Sequence, residues 1–351
     1  MATHLTWRTA DERRGIRAFN LRRDLAGVID LVLLAFADEP ERSTGQSSHE
    51  DLRALKQLSH FVWLTSLFSD QTREFFAGQV WEEDGKIIGN ASVSKLGRDG
   101  SRWLIGNVAT YPEYRRRGIA RSLVLAAIDF VRAQQGEFVV LDVRADNRPA
   151  YDLYLSLGFT HITGTTELKL TGHGESTADM LDFSRGENPS FLRPNFRSLR
   201  WSDWQPVYEL ARAATPSAAQ PFSPVRLRDY EMGTAGHLFN ELSHFLARRK
   251  EYRLVALDGR RPVAFLDVSI RGIKMTHRVR TIIHPDYRGR VEPALVSRAM
   301  EILRYHPWNS VWAEIPCEQT DQIAALKKCG FKETVTQHRL GLRVEAPIAG
   351  V

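Results

Sequence analysis

Residues 111 to 121 read Tyr-Pro-Glu-Tyr-Arg-Arg-Arg-Gly-Ile-Ala-Arg, a run able to hold an anion. A helix that starts here leaves its first N–H groups unpaired, and its dipole adds positive potential. A pyrophosphate can rest on such groups if the backbone comes close. Gly118 and Ala120 leave that approach open, while Arg115, Arg116, Arg117 and Arg121 add cationic charge around the turn. The run is not a Walker loop, because the Gly-Lys-Ser/Thr ending is missing. Nor is it a dinucleotide fingerprint, since it has a single glycine. Taken alone, it also fits a basic loop with no ligand.

Such a loop works only between a strand and a helix. Trp103–Ala109 reads as the strand. Gly118–Gln135 reads as the helix, with Ile119, Leu123, Ala127, Phe130 and Val131 on one face. Gly136 is expected to end it in a left-handed conformation. Upstream, the pattern predicts a strand at Ile16–Asn20, a helix at Asp24–Phe36 and a helix from His49 capped by Ser48. Gln79–Glu83 and Lys86–Ser94 flank Asp84-Gly85 as a hairpin. Downstream come a strand at Glu137–Val143, a helix at Pro149–Leu157 stopped by Gly158, and a last strand at Glu167–Leu170. The pattern is an α/β layer fold with a mixed sheet.

The chain then repeats itself. Asp84-Gly85-Lys86, Tyr111-Pro112-Glu113-Tyr114-Arg115 and Gly158-Phe159 return as Asp258-Gly259-Arg260, His284-Pro285-Asp286-Tyr287-Arg288 and Gly330-Phe331. Three landmarks at a nearly constant offset point to a duplicated unit. The first copy is placed at 15–170 and the second at 195–344. Residues 171–194, rich in Gly, Ser, Asn and Pro, are the expected linker.

A length of 351 residues suits two domains, and 43% hydrophobic residues suffice for two cores. The net charge of +6 comes without a basic stripe carrying interleaved aromatics, so no nucleic-acid partner is expected. The two cysteines, Cys317 and Cys329, lack zinc-ligand neighbours. No metal and no disulfide framework are expected, and a cytoplasmic location fits. The longest apolar run, Val28 to Ala37, contains Asp30 and is too short to span a bilayer, so no membrane association is expected.

The strand–loop–helix with Arg115-x-x-Gly118-x-Ala120 resembles the central motif of the GCN5-related N-acetyltransferase (GNAT) family. The likeness continues through Leu141-Asp142-Val143-Arg144-Ala145-Asp146-Asn147, Tyr154 and Gly158-Phe159. Within that family these blocks are most like the ribosomal-protein alanine N-acetyltransferases. The two-copy layout is like mycothiol synthase. The resemblance implies two GNAT-like domains, each a mixed, mostly antiparallel sheet with helices on both faces, packed as a pseudo-dimer within a monomer.

It also implies acetyl-coenzyme A as co-substrate. Val108, Ala109 and Thr110 would pair with its pantetheine arm. The amides of Arg116, Arg117, Gly118, Ile119, Ala120 and Arg121 would take the pyrophosphate, and the Asn147 side chain would bond the pantetheine. Tyr154 would be the general acid and Asp142, in place of the family's glutamate, the base. The implied reaction is acetyl transfer to a primary amine on a small molecule or peptide by direct attack in a ternary complex. The alternatives are an acyl-coenzyme A sensor without turnover, or transfer of longer acyl groups. The acceptor side is expected between Phe36 and Trp81. It includes Phe61, Trp63, Phe68, Phe75 and Phe76 as core or pocket residues, with Asp38 and Glu39 able to attract an amine.

The second copy reads as disabled. Val291 stands at the position of Gly118, Glu292 brings negative charge, and Pro293 removes an N–H. Leu326 and Gln319 replace Tyr154 and Asn147.

Overall fold

The computed structural model describes residues 14–37, 77–97, 99–172, 191–227, 249–272 and 276–344. The expected helix from His49, the aromatic residues from Phe61 to Phe76, Asp38, Glu39 and most of the expected linker lie outside them.

The chain forms two compact units. Unit 1 comprises Met1–Val143, Asn147–His161 and Arg339–Val351; unit 2 comprises Arg144–Asp146 and Ile162–His338. Both follow one element order. In the first half this is β1 (Arg14–Ala18), α1 (Leu21–Ala35), β2 (Ala77–Glu83), β3 (Lys86–Lys95), β4 (Arg102–Thr110), a short 3-10 turn, α2 (Ile119–Ala133), β5 (Phe138–Arg144), α3 (Arg148–Ser156) and β6 (Thr160–Thr171). The second half repeats it as β7 (Asn195–Ser198), α4 (Trp204–Ala214), β8 (Arg249–Asp258), β9 (Arg261–Arg271), β10 (Thr276–Ile283), a 3-10 turn, α5 (Glu292–Leu303), β11 (Ser310–Pro316), α6 (Thr320–Lys328) and β12 (Lys332–Arg343). The repeat seen in the sequence is thus a repeat of structure.

In unit 1, β1 to β4 run antiparallel to their neighbours and β5 runs parallel to β4. The sheet is mixed and mostly antiparallel, as expected. Side chains alternate across it. On one face Val80, Ile87 and Ala109 meet Val28, Leu31 and Val32 of α1. On the other, Ile88, Ala91 and Ile105 meet Ile119, Leu123 and Ala127 of α2. Each apolar stripe is a helix face at the 3.6-residue period. Asn20 starts α1 by accepting from the Arg23 N–H.

The two units depart from the repeat boundary in one respect. β6, which ends the first repeat, pairs antiparallel with β11 from Ser310↔Thr171 to Pro316↔Thr165, inside unit 2. The residues of β12 from Arg339 onward belong to unit 1, next to β5. Val344 donates its N–H to the Glu137 carbonyl at 2.8 Å, and Leu340 and Val344 join the core that contains Tyr154. The last strand of the first repeat is also longer than the expected Glu167–Leu170. Its N-terminal part alternates with too many threonines and a glycine for apolar periodicity to reveal it.

A second difference lies after α2. The left-handed residue is Gln135 (φ 59°), not Gly136. Gly136 is needed for another reason: a Cβ there would sit 2.4 Å from Val131 Cγ1 and 2.5 Å from the Trp103 ring.

The two repeats also share a device that composition does not reveal. Arg17 forks onto Asp24 at 2.5 and 2.7 Å, and the Asn20 N–H donates to the same carboxylate. Arg197 forks onto Asp203 at 2.5 and 2.9 Å, with the Arg200 N–H donating to it. Each fork ties the first strand of its repeat to the start of the next helix. Paired guanidinium–carboxylate geometry of this kind is among the stronger polar contacts.

Candidate active site

β4 and β5 pair over only three registers, Arg102↔Phe138, Trp103↔Val139 and Leu104↔Val140. Beyond Leu104 the strands separate. β4 continues to Thr110 with its β5-facing edge unpaired by that strand, which leaves amides and carbonyls for an extended ligand to bond. On its other side β4 bulges against β3: Asn90 pairs with Ala109, but Ser92 pairs with Gly106. Asn107 takes the extra position at φ 49°, a conformation asparagine tolerates better than most residues. The Asn90 side chain donates to the Asn107 carbonyl at 2.9 Å and fixes the bulge. A Cβ on Gly106 would meet nothing within 4 Å, so the backbone there faces open space.

β4 leads into the arginine-rich loop. Arg116 (φ 61°) and Gly118 (φ 79°) are both left-handed, and α2 starts at Ile119. The Ser122 N–H closes the first turn of α2 on the Gly118 carbonyl. Among the described residues, the N–H groups of Arg116 to Arg121 find no backbone acceptor. Six consecutive amides are thus left at a helix start, with open space in front of Gly118. The neighbouring arginines hold the loop as well as charge it. Arg115 Nε donates to the Thr110 carbonyl at 3.3 Å, and Arg117 donates to the Glu113 carbonyl and lies over Tyr114. Arg121 reaches Ser156 on α3 at 2.9 Å.

Val108, Ala109 and Thr110 line the separated edge of β4. Thr110 pairs with Gly89, whose missing Cβ lets Ile119 and Leu123 of α2 sit against the sheet. The Thr110 hydroxyl is buried and has no partner among the described residues. An orphaned hydroxyl, six bare amides and an open strand edge together fit an extended ligand carrying amides and a diphosphate.

Tyr154 is 6% exposed and meets Phe159 edge-on at 6.0 Å. Burial pushes its hydroxyl up to about 12. Asn147 caps α3: its side-chain oxygen accepts from the Ala150 N–H at 3.3 Å. The helix therefore uses the oxygen, and only the amide NH2 is left for a ligand.

Asp142 is not a free carboxylate. Arg339, from β12, donates Nε and Nη2 to its two oxygens, each at 2.8 Å. Leu141 and Val143 pack in the Tyr154 core, so by strand alternation Asp142 faces the opposite side of the sheet.

In unit 2 β10 and β11 also separate, after four registers from Thr276↔Ser310 to Val279↔Ala313, but the bulge is absent and part of the loop is closed. β10 pairs with β9 without a bulge from Arg278 to Ile283. The Gly289 N–H donates to Glu292 Oε1 at 2.8 Å, and the Arg290 N–H to the Tyr287 carbonyl. The Glu292 carboxylate thus fills its own loop. Gln322 of α6 donates to Thr281 on β10 and bridges from helix to strand where a ligand would lie. The sequence pointed to the loss through Val291, Glu292 and Pro293. It held no sign of Gln322.

The comparisons agree with this geometry. Residues 34–159 match the family model described as Acetyltransferase (GNAT) family. Residues 34–159 carry a GNAT acetyltransferase domain. The N-alpha-acetyltransferase RimI of Mycobacterium tuberculosis is 38% identical over 79 residues, 22% of this chain and 48% of its own. The mycothiol acetyltransferase of Acidothermus cellulolyticus is 31% identical over 170 residues, 46% of this chain and 50% of its own. The chain thus spans about half the length of these curated relatives. A tandem GNAT protein from the clavulanic acid biosynthesis pathway superposes with a TM-score of 0.52, covering 95% of this chain and 99% of its own. At 15% identity that likeness carries the fold alone, a tandem GNAT arrangement. No helix among the described residues is long and apolar enough to cross a membrane.

Proposed function

We propose that unit 1 of this GNAT protein moves an acetyl group from acetyl-coenzyme A to a primary amine by direct attack. The observation that carries the reading is the run of bare amides from Arg116 to Arg121, set beside a β4 edge that β5 leaves open. The amides and the Thr110 hydroxyl hold the diphosphate end, and Val108 to Thr110 hold the pantetheine by strand addition. The Asn147 NH2 lies beyond its capping bond and serves the same arm.

The amine nitrogen attacks the thioester carbonyl carbon, the C–S bond breaks, and the thiolate takes one proton. Tyr154 on one sheet face and Asp142 on the other put leaving group and nucleophile on opposite sides of the strand gap. A phenol held at about 12 stays protonated at neutral pH. Full transfer from it to a thiolate of ordinary basicity is uphill by about 5 kcal/mol. Tyr154 therefore donates a hydrogen bond to the developing thiolate. Tyr154 keeps its own proton; the proton the attacking nitrogen loses leaves through Asp142 to water and the thiolate takes one back from water, so the sum of protons balances. Asp142 accepts from the incoming amine, directly or through one water.

The relatives' names speak of N-alpha-acetylation and of mycothiol; for this chain the acceptor class is a small-molecule or peptide amine. We further place the protein in the cytoplasm as a monomer that needs no metal. Amino sugars, amino acids and short peptides with free N-termini should be screened for thiol release from acetyl-coenzyme A. The Tyr154→Phe variant should bind coenzyme A as the wild type does and release thiol about 100-fold more slowly. Wild-type protein that does not bind coenzyme A in a calorimetric titration overturns the reading.

A further inference from the structure

The Asp142–Arg339 fork joins residues far apart in sequence, and nothing in the cofactor motif requires it. Arg339 stands on β12, the last strand of the second repeat, yet it is grouped with unit 1. Its two bonds to Asp142 are both 2.8 Å long, the side-on arrangement in which a guanidinium matches a carboxylate. The Asp142 partnership raises the affinity of Arg339 for its proton, so the cation is permanent. The Asp142 side chain keeps 23% of its surface exposed. It is therefore clamped without being sealed.

Strand alternation puts the clamp on the face away from Tyr154. Leu340 packs in the Tyr154 core, so its neighbour Arg339 shares the Asp142 face. On the proposed reading this is the face from which the amine arrives. A side-on fork uses the inner lone pair of each carboxylate oxygen and leaves the outer ones free. A clamped aspartate therefore presents a fixed acceptor to an amine N–H. That offsets the reach lost through having Asp in place of a longer acid, since a single orientation replaces several rotamers.

We propose that Arg339 is a positioning residue for the acceptor amine, acting through Asp142, so that a strand from the second repeat completes the site of the first. The inference rests on the acetyltransferase reading. Its test uses the full chain and the amine that the wild type acetylates fastest in the screen above. Arg339→Lys keeps the charge and loses the fork; Arg339→Gln loses both. For the amine, kcat/KM should fall about 10-fold in Arg339→Lys and about 100-fold in Arg339→Gln. Coenzyme A affinity should not change in either, which also shows that each variant is folded. Asp142→Asn combined with Arg339→Gln should be no slower than the worse single variant, because one unit is being broken twice.

A charge exchange separates positioning from mere stability. Asp142→Arg combined with Arg339→Asp restores an ion pair but puts the carboxylate on the wrong strand. It should regain thermal stability lost by Arg339→Gln and remain slow with the amine. If Arg339→Gln melts at a lower temperature yet turns over amine at the wild-type rate, or if the exchange variant recovers turnover, the proposal is overturned. A wild type that binds no coenzyme A and acetylates no amine fails at the earlier reading instead.

Discussion

Tyr154 shows how one buried hydroxyl couples chemistry to stability. Its folded value of about 12 lies above the ordinary value near 10, because burial disfavours the phenolate. The folded state thus binds this proton more tightly than the unfolded chain does. The resulting stability is fully present below about pH 10 and is lost as pH rises through about 12, a change of about 2–3 kcal/mol. Urea titrations at pH 9 and pH 11.5 should show a loss in the wild type that exceeds the loss in Tyr154→Phe by roughly that amount. Tyr154 could be read from the sequence because its distance from Gly158 is fixed by one helix. Arg339 could not, because its partner lies in the other repeat and no local pattern links them. Asn147 was read as a ligand residue and not as a helix cap; the structure shows the cap, through its bond to Ala150.

Among the elements, α2 and its flanks carry most of the site. The loop before it was readable from Gly118 and the arginines, since residue type alone decides where a backbone can be approached. The β4 bulge was not readable: Asn107 is one extra residue in a strand whose apolar alternation continues around it. At the other end of α2, Gly136 lies where two side chains close in. Gly136→Ala should cost about 1–3 kcal/mol, because the added methyl must displace Val131 or the Trp103 ring. Because Trp103 is the middle residue of the short paired stretch of β4 with β5, the same variant should also weaken coenzyme A binding. Chemical denaturation and calorimetry on one preparation would measure both effects.

For the whole molecule, the two repeats share a fold, and on the proposed reading only the first keeps the ligand site. The element order repeats, and so does the Arg–Asp fork at the start of each repeat, although in unit 2 the Gly289 amide has been given to the Glu292 carboxylate and the Arg290 amide to the Tyr287 carbonyl. A titration should therefore find one coenzyme A per chain. Two equal sites would contradict the assignment of Glu292 as an internal substitute for phosphate. The repeat was legible because turns and loop landmarks keep their residue types. The exchange of closing strands was not, because β6 and β12 each have the composition of a strand that could pair with either neighbour.

That exchange sets an order of events during synthesis. Unit 1 needs residues from Arg339 onward beside β5. A ribosome that has released only the first half of the polypeptide has made the arginine-rich loop and Tyr154, but not the strand whose Leu340 and Val344 join the Tyr154 core. Until nearly the whole message is read, the nascent first half carries an open β-edge and must be kept from pairing with its neighbours on the same polysome. The core around Tyr154 is then completed late and all at once, in the last moments of translation.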